Sequence, residues 1–197
     1  SAASDVYKRQ GIGLKLSKTD NPVNHNFYIM GIDQSFTNTG ITILKQINKE
    51  RQEIIHSACI STSMEYSAEE RMFAVINFVL EKCRNYRISA VAIESPAYQV
   101  TSNNGRLLSG LFFSLLTHFL RDGISYFPVN PKSLKKFVAG SGSADKKSMR
   151  KALSDKEIGD LSYFSGIKPT SKKFEDIVDS FWLAKYGCLF GDGKKGT

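Results

Sequence analysis

The sequence predicts an α/β domain, a mixed five-stranded sheet flanked by helices, and three observations lead there. The ordered part of the chain opens with three short β-rich runs separated by polar turns. The apolar spacing then changes to a helical period. Beyond that point strand and helix patterns alternate, the ordering of an α/β fold rather than of segregated layers.

Each element can be justified in turn. Residues 1–25 show neither periodicity and are expected to form a leader outside the core, disordered or artefactual; SAASDVYKRQ reads as adapter-derived. The domain itself is expected over 26–190, with a flexible tail at 191–197. FYIMGID (27–33), ITIL (41–44) and EIIHSACI (53–60) predict an antiparallel meander, with Asn38-Thr39-Gly40 and residues 48–51 as the turns. Met72, Val75, Ile76, Val79, Leu80 and Cys83 then fall on one face of a helix. AVAIE (90–94) is continuously apolar up to its last residue, as in a strand covered on both faces.

Leu107, Leu108, Leu111, Phe112, Leu115 and Phe119 repeat the helical spacing, after a Ser-Asn-Asn-Gly-Arg loop at 102–106. ISYFPV (124–129) supplies the fifth strand. Asn130 followed by Pro131 opens a short helix, because Asn caps well and Pro is tolerated at the first helical position. GSGSADKKSMRKAL joins a loop to a basic helix. Phe174, Ile177, Val178 and Phe181 mark the buried stripe of a last helix that ends at Gly187, so three helices are expected after the fifth strand.

Of the 197 residues 41% are hydrophobic and 23% charged, enough apolar surface for a packed core. No uncharged apolar run approaches the roughly 18–20 residues of a spanning helix, so no membrane partner is expected. No secretory leader is expected either. Cys59, Cys83 and Cys188 form neither a disulfide ladder nor a CxxC zinc site and suit a reducing cytoplasm. The net charge is +8, and residues 130–173 carry eleven basic and four acidic side chains, so nearly all of the excess lies in one quarter of the chain. That asymmetry points to a polyanion, although a solvated basic face would look the same. GSGSADK lacks the GxxxxGK[ST] spacing, so no nucleotide cofactor is expected.

Four carboxylates carry the candidate chemistry. Asp33 ends the first strand and Glu94 the fourth, so parallel pairing of those strands would bring both acids to one rim. Asp176 and Asp179 stand at i and i+3 on the last helix, flanking its apolar stripe. Singly, each reads as well as a turn former or a surface ion pair with Lys172 and Lys173. Together they form an all-oxygen set of the kind hard divalent cations prefer. Two such ions about 3.5–4 Å apart can activate water and stabilise a leaving oxygen in phosphodiester cleavage, and a flanking Lys would offset developing charge.

At these residues the chain resembles the RuvC family of Holliday-junction resolvases, within the RNase H-like superfamily, over roughly residues 27–187. The resemblance rests on GIDQSFTNTGITIL, AVAIESP, PKSLKKFVAGSGSADKKSM and DIVDSFWLA in that order. It implies an RNase H-like nuclease in which Asp33, Glu94, Asp176 and Asp179 ligate two Mg²⁺ or Mn²⁺ ions. It also implies that Lys146, with Lys147 and Lys136, stands beside the scissile phosphate. The implied partners are a four-way DNA junction and a second copy of the chain, each subunit nicking one strand. Lys132, Lys135 and Arg150 join the expected DNA contacts, as does Arg106. Gln34-Ser35 replaces the Pro-Gly of many relatives, and Ser-Pro-Ala-Tyr follows Glu94, so Tyr98 is the first candidate for a base-stacking aromatic and Phe36 the second. Three alternatives stand beside this reading: a catalytically silent junction binder, an RNase H-like nuclease of another branched or hybrid substrate, and an actin-like ATPase or sugar kinase. The last would need glycine where Ser35 stands, and a second lobe.

Overall fold

The computed structural model describes residues 27–48, 50–96 and 102–190; Tyr98 and the expected leader and tail lie outside these. Five strands, β1 (Phe27–Asp33), β2 (Asn38–Gln46), β3 (Gln52–Ser61), β4 (Ala90–Glu94) and β5 (Ser125–Val129), form one sheet in the order β3-β2-β1-β4-β5. The meander β1–β2–β3 is antiparallel, whereas β4 and β5 run parallel to β1. Pro128 lies in β5, an edge strand, where a missing ladder donor is tolerated.

The helices are α1 (Ala68–Asn85), α2 (Asn103–Arg121), α3 (Pro131–Ala139), α4 (Lys146–Lys151), α5 (Asp155–Ser165) and α6 (Phe174–Phe190). They divide between the two faces of the sheet. Val75, Val79, Leu111, Leu115 and Phe119 of α1 and α2 pack with Met30, Ile32, Val91 and Ile93 on one face. On the other, Ile177, Phe181 and Ala184 of α6 pack with Ile29, Leu44 and Ala92. Alternate residues of β1 and β4 thus feed two cores, which is why AVAIE is apolar almost throughout.

Four boundaries differ from expectation, each for a local reason. The first turn lies at Gln34 to Thr37 rather than at Asn38 to Gly40: the Ser35 amide donates to Thr39 Oγ1 at 3.1 Å and that hydroxyl returns a bond to the Ser35 carbonyl at 2.6 Å, closing the turn early. The 102–106 segment is no loop, because Ser102 caps α2 by accepting from the Gly105 amide at 3.1 Å. Among the described residues four helices, not three, follow β5. The additional one, α5, begins with a capping box between Ser154 and Glu157, and its weak apolar stripe hid it. Finally, α6 continues past Gly187 to Phe190, since that glycine is buried against Ala92 and Ile29 rather than ending the helix.

Candidate active site

Parallel pairing of β1 and β4 sets Ile32 opposite Ile93, so Asp33 and Glu94 leave the sheet side by side. A side chain fastens the two ends: Gln34 Nε2 donates to the backbone carbonyl of Glu94 at 3.2 Å. Gln34 is buried and its Oε1 has no partner among the described residues.

The second pair of acids depends on how closely α6 approaches the sheet. A Cβ on Gly31 would stand 1.9 Å from the Ser180 carbonyl oxygen, and one on Gly40 would stand 2.3 Å from that of Asp176. Helix backbone therefore lies directly on β1 and β2, where only glycine leaves room. Buried hydroxyls fix its rotation, with Thr42 Oγ1 2.8 Å from Ser180 Oγ and 3.0 Å from Ser57 Oγ. Because Gly40 pairs with Asp33 across the β1–β2 ladder, the first turns of α6 bring Asp176 and Asp179 to the rim that bears Asp33.

Lys146 reaches this rim from α4. Asp145 caps that helix through the Ser148 amide at 2.8 Å, and Trp182 of α6 holds it by an Nε1 bond to the Met149 carbonyl at 3.0 Å. Lys146 Nζ then lies 3.6 Å from Asp179 Oδ2 and 3.4 Å from Glu175 Oε2.

Asp33, Glu94 and Asp179 line a cleft of about 240 Å³ with Lys135, Lys146, Pro131, Leu134 and Met149. Burial raises the pKa of Asp33 well above the ordinary carboxylate range, and the charges of Asp179, Glu94 and Asp176 raise it further. Glu94 is raised by burial and by Asp179, against the pull of Lys135 and Lys146. Asp179 and Asp176 are likewise raised, burial being the largest cause and Lys146 the chief opposing charge. Lys146 responds in the complementary sense. Burial alone would lower it, but Asp179, Asp33, Glu175 and Asp176 together hold it above its usual value. Such clustering of mutually perturbed groups in a cleft is characteristic of functional sites.

The other expected residues are placed less uniformly. Lys135 borders the cleft, while Lys132, Lys136 and Lys147 are exposed on α3 and α4. Arg150 lies over the Phe174 ring, 5.4 Å from its centroid. Arg106 is exposed in the first turn of α2, and Phe36 is half-buried against the α1–α2 core. No ion pair joins Lys172 or Lys173 to the acids among the described residues; Lys146 takes that place. Sequence reasoning missed Glu175, whose contact with Lys146 spans 29 positions and leaves no periodic signal. Cys59, read in the sequence only as a reduced thiol, lies across from Gly40 in the sheet, and its thiol is pushed up to about 11 by burial and by Asp176.

The donor chemistry suits hard divalent cations. Among the described residues neither the Asp33 nor the Glu94 carboxylate has a hydrogen-bond or ion-pair partner, and Lys146 is the one cation paired with the group. Half-buried, crowded anions of this kind are costly without further positive charge. Three of the four acids line the cleft, Asp176 standing outside its lining, and they form no closed shell: among the described residues no three His, Cys, Asp or Glu side chains are assembled as a ready cation cage. A larger cleft of about 610 Å³ lies away from these acids beside β3 and α5. Most of its charges are paired with one another, among them Lys185 with Glu157 at 2.7 Å and Lys156 with Asp160 at 2.5 Å. Among the described residues no helix is long and apolar enough to cross a membrane.

Residues 29–155 match the family model described as crossover junction endodeoxyribonuclease RuvC, a span that stops before α6. The protein of that name from Treponema denticola is 27% identical over 125 residues, covering 64% of this chain and 70% of its own length. Its Thermus thermophilus counterpart is 24% identical over 120 residues, covering 60% and 72%. Among solved structures, Thermus thermophilus RuvC superposes with a TM-score of 0.63 at 20% identity, over 84% of this chain and 95% of that one. The yeast mitochondrial Holliday junction resolvase gives 0.57 at 15% identity, over 86% and 81%. The fowlpox virus resolvase, in complex with Holliday junction DNA, gives 0.54 at 16%, over 82% and 97%. These likenesses extend to the mixed five-stranded sheet and its flanking helices.

Proposed function

The chain belongs to the RuvC family of crossover junction endodeoxyribonucleases, and from that premise we propose that the Asp33–Glu94–Asp176–Asp179 cleft is where it hydrolyses DNA strands at a four-way junction. The observation that carries the assignment is the convergence of acids from β1, β4 and α6, distant in sequence, around one cleft that also admits Lys146. The four carboxylates would hold divalent cations; two Mg²⁺ ions, with Mn²⁺ able to substitute, fit the all-oxygen donor set. When bound, such ions screen the phosphodiester and activate water for in-line attack.

The protein's own contribution is positional. Gln34 ties the Glu94 backbone to the end of β1, and the close approach of α6 aligns Asp176 and Asp179 with them. Lys146 neutralises part of the acid cluster and, held on a capped helix, faces the position where charge grows on the transferring phosphate. Lys132, Lys135, Lys136 and Lys147 lie on α3 and α4 near this cleft and would anchor flanking phosphates, which position the duplex without reading its sequence. Members of the family act as dimers, so two such clefts would face the two opposing strands. Phe73 and Phe113, 68% and 63% exposed on the packed pair α1 and α2, favour that face as the contact between copies.

The test is cleavage of a synthetic four-way junction, a flap, a duplex and an RNA–DNA hybrid at one salt and Mg²⁺ concentration. The junction should be cut in preference. Asp33→Asn and Glu94→Gln should abolish cutting while leaving junction binding intact. Undiminished cutting by either variant would overturn the site, and binding without cutting by the unaltered protein would favour a junction-holding role instead.

A further inference from the structure

Among the described residues Lys146 is the one cation paired with the acids, and a fifth carboxylate shares it. Glu175 stands one residue before Asp176 and four before Asp179, so on α6 it shares a face with Asp179. Lys146 Nζ lies 3.4 Å from Glu175 Oε2 and 3.6 Å from Asp179 Oδ2. Both separations exceed the roughly 2.7–2.9 Å of a charge-assisted hydrogen bond, so the ammonium is held between the two acids and committed to neither. The two acids are not equivalent. Asp179, its side chain 19% exposed, lines the cleft; Glu175, 40% exposed, is not part of that lining and marks its outer side. The backbone that carries Lys146 is fastened to α6 at two points. Trp182 Nε1 donates to the Met149 carbonyl at 3.0 Å, and Arg150 lies over the buried ring of Phe174, the residue before Glu175, 5.4 Å from Cζ to centroid. What remains free is the four-carbon stem of Lys146, so the choice of carboxylate decides where its charge stands.

We propose that Glu175 is a positioning residue for strand cleavage: it keeps the Lys146 ammonium at the outer side of the cleft, facing the scissile phosphate, when Asp179 is engaged by a divalent cation. The proposal rests on the nuclease reading above. Two claims fall on Asp179. In the metal-free protein it pairs with Lys146; as a ligand it turns its oxygens to a dication, whose charge repels the ammonium. A half-exposed lysine released in this way gains side-chain freedom and water, and its charge no longer stays where negative charge grows on the phosphate. Glu175, one helical turn back on the same face, offers a second carboxylate that the ammonium already touches. The contact is loose enough to leave donors of the lysine free for a phosphate oxygen. An acid on a surface that meets DNA is otherwise a liability, because it repels phosphate. The competing explanation is that an acid in the first turn of α6 merely complements the helix dipole; that role would show in stability and leave the reaction rate alone.

The experiment uses the full chain and compares the parent, Glu175→Gln, Lys146→Met and the double variant. Single-turnover cleavage of a four-way junction at saturating protein should fall about tenfold in Glu175→Gln, while junction affinity stays the same or tightens because a repulsive charge has gone. In the Lys146→Met background the same substitution should change the rate by no more than about twofold, since Glu175 acts only through the lysine. Mg²⁺ affinity, titrated calorimetrically without DNA, is a readout that needs no cleavage. Without Glu175 the ammonium turns to Asp179 alone and competes with the ion. Glu175→Gln should therefore weaken Mg²⁺ binding several-fold in the parent and clearly less in the Lys146→Met background. A parental cleavage rate in Glu175→Gln overturns the proposal, whether or not its urea midpoint falls. So does an equal fold-loss, of rate or of Mg²⁺ affinity, with and without Lys146. A parent protein that cuts no junction in Mg²⁺ defeats the nuclease reading and the proposal with it, whereas an active parent beside an equally active Glu175→Gln defeats the proposal alone.

Discussion

Replacing Gly40 by alanine tests whether the close approach of α6 to the sheet sets the geometry of the acids. Gly40 pairs with Asp33 across the β1–β2 ladder, and a Cβ there would stand 2.3 Å from the Asp176 carbonyl oxygen and 2.6 Å from its carbon. Ordinary contact needs about 3.5 Å, so the first turn of α6 must withdraw by roughly 1 Å. The obstructing atoms are helix backbone and cannot swing aside as the tip of a side chain would. Overpacking of this kind costs about 1–3 kcal/mol, read as a lower urea midpoint at unchanged slope. The same movement carries Asp176 and Asp179 away from Asp33 and Glu94, and a 1 Å misplacement costs on the order of 10²-fold in rate. Single-turnover cleavage of a four-way junction at saturating protein separates that loss from weakened binding. Wild-type turnover and an unchanged midpoint in G40A would refute the reasoning. Gly31→Ala should be harsher, since its Cβ would lie 1.9 Å from the Ser180 carbonyl oxygen.

Other consequences follow from the same contacts. Lys146→Met removes the cation that lies between Asp179 and Glu175 and should lower kcat by on the order of 10²-fold, more than it lowers junction affinity; an unchanged kcat would remove Lys146 from the site. Asp33 has a folded pKa above its unfolded value, so its contribution to stability is complete below the ordinary carboxylate range near pH 4 and is lost as pH rises through the raised value. In metal-free buffer Asp33→Asn should therefore gain stability over the parent as pH climbs from 4 to 8, measured by urea midpoints; a gap that stays constant with pH would contradict this. Millimolar Mg²⁺ should raise the Tm of the parent, with about 2.7 kcal/mol of stabilisation at 100 times Kd, and have little effect on Asp33→Asn. Phe113→Lys should shift the protein from dimer to monomer in sedimentation, and a persistent dimer would place the subunit contact elsewhere.

Much of this protein is legible in one dimension, because burial imposes period on a sequence. The runs FYIMGID and AVAIE and the spacings from Met72 to Cys83 and from Leu107 to Phe119 announce their elements, since each must hide one face or both. The amphipathic signal weakens in α5, which covers only part of β3, and that helix escaped notice. Asn38-Thr39-Gly40 resembles a turn as an isolated tripeptide. In the fold its glycine is a strand residue that lets a helix backbone lie close above it.

The sequence by itself determined the order of the five strands and of every described helix but α5, nominated Asp33, Glu94, Asp176 and Asp179 as candidate ligands, and pointed to the family. Only the tertiary structure decided that Lys146, rather than the adjacent Lys172 and Lys173, pairs with those acids. It alone brought out Glu175 and the Gln34 tie to Glu94. The reason is physical. Hydrophobic periodicity is a local consequence of burial and repeats every few residues, whereas a charge contact across tens of positions depends on the register of β1 with β4 and the depth at which α6 meets the sheet.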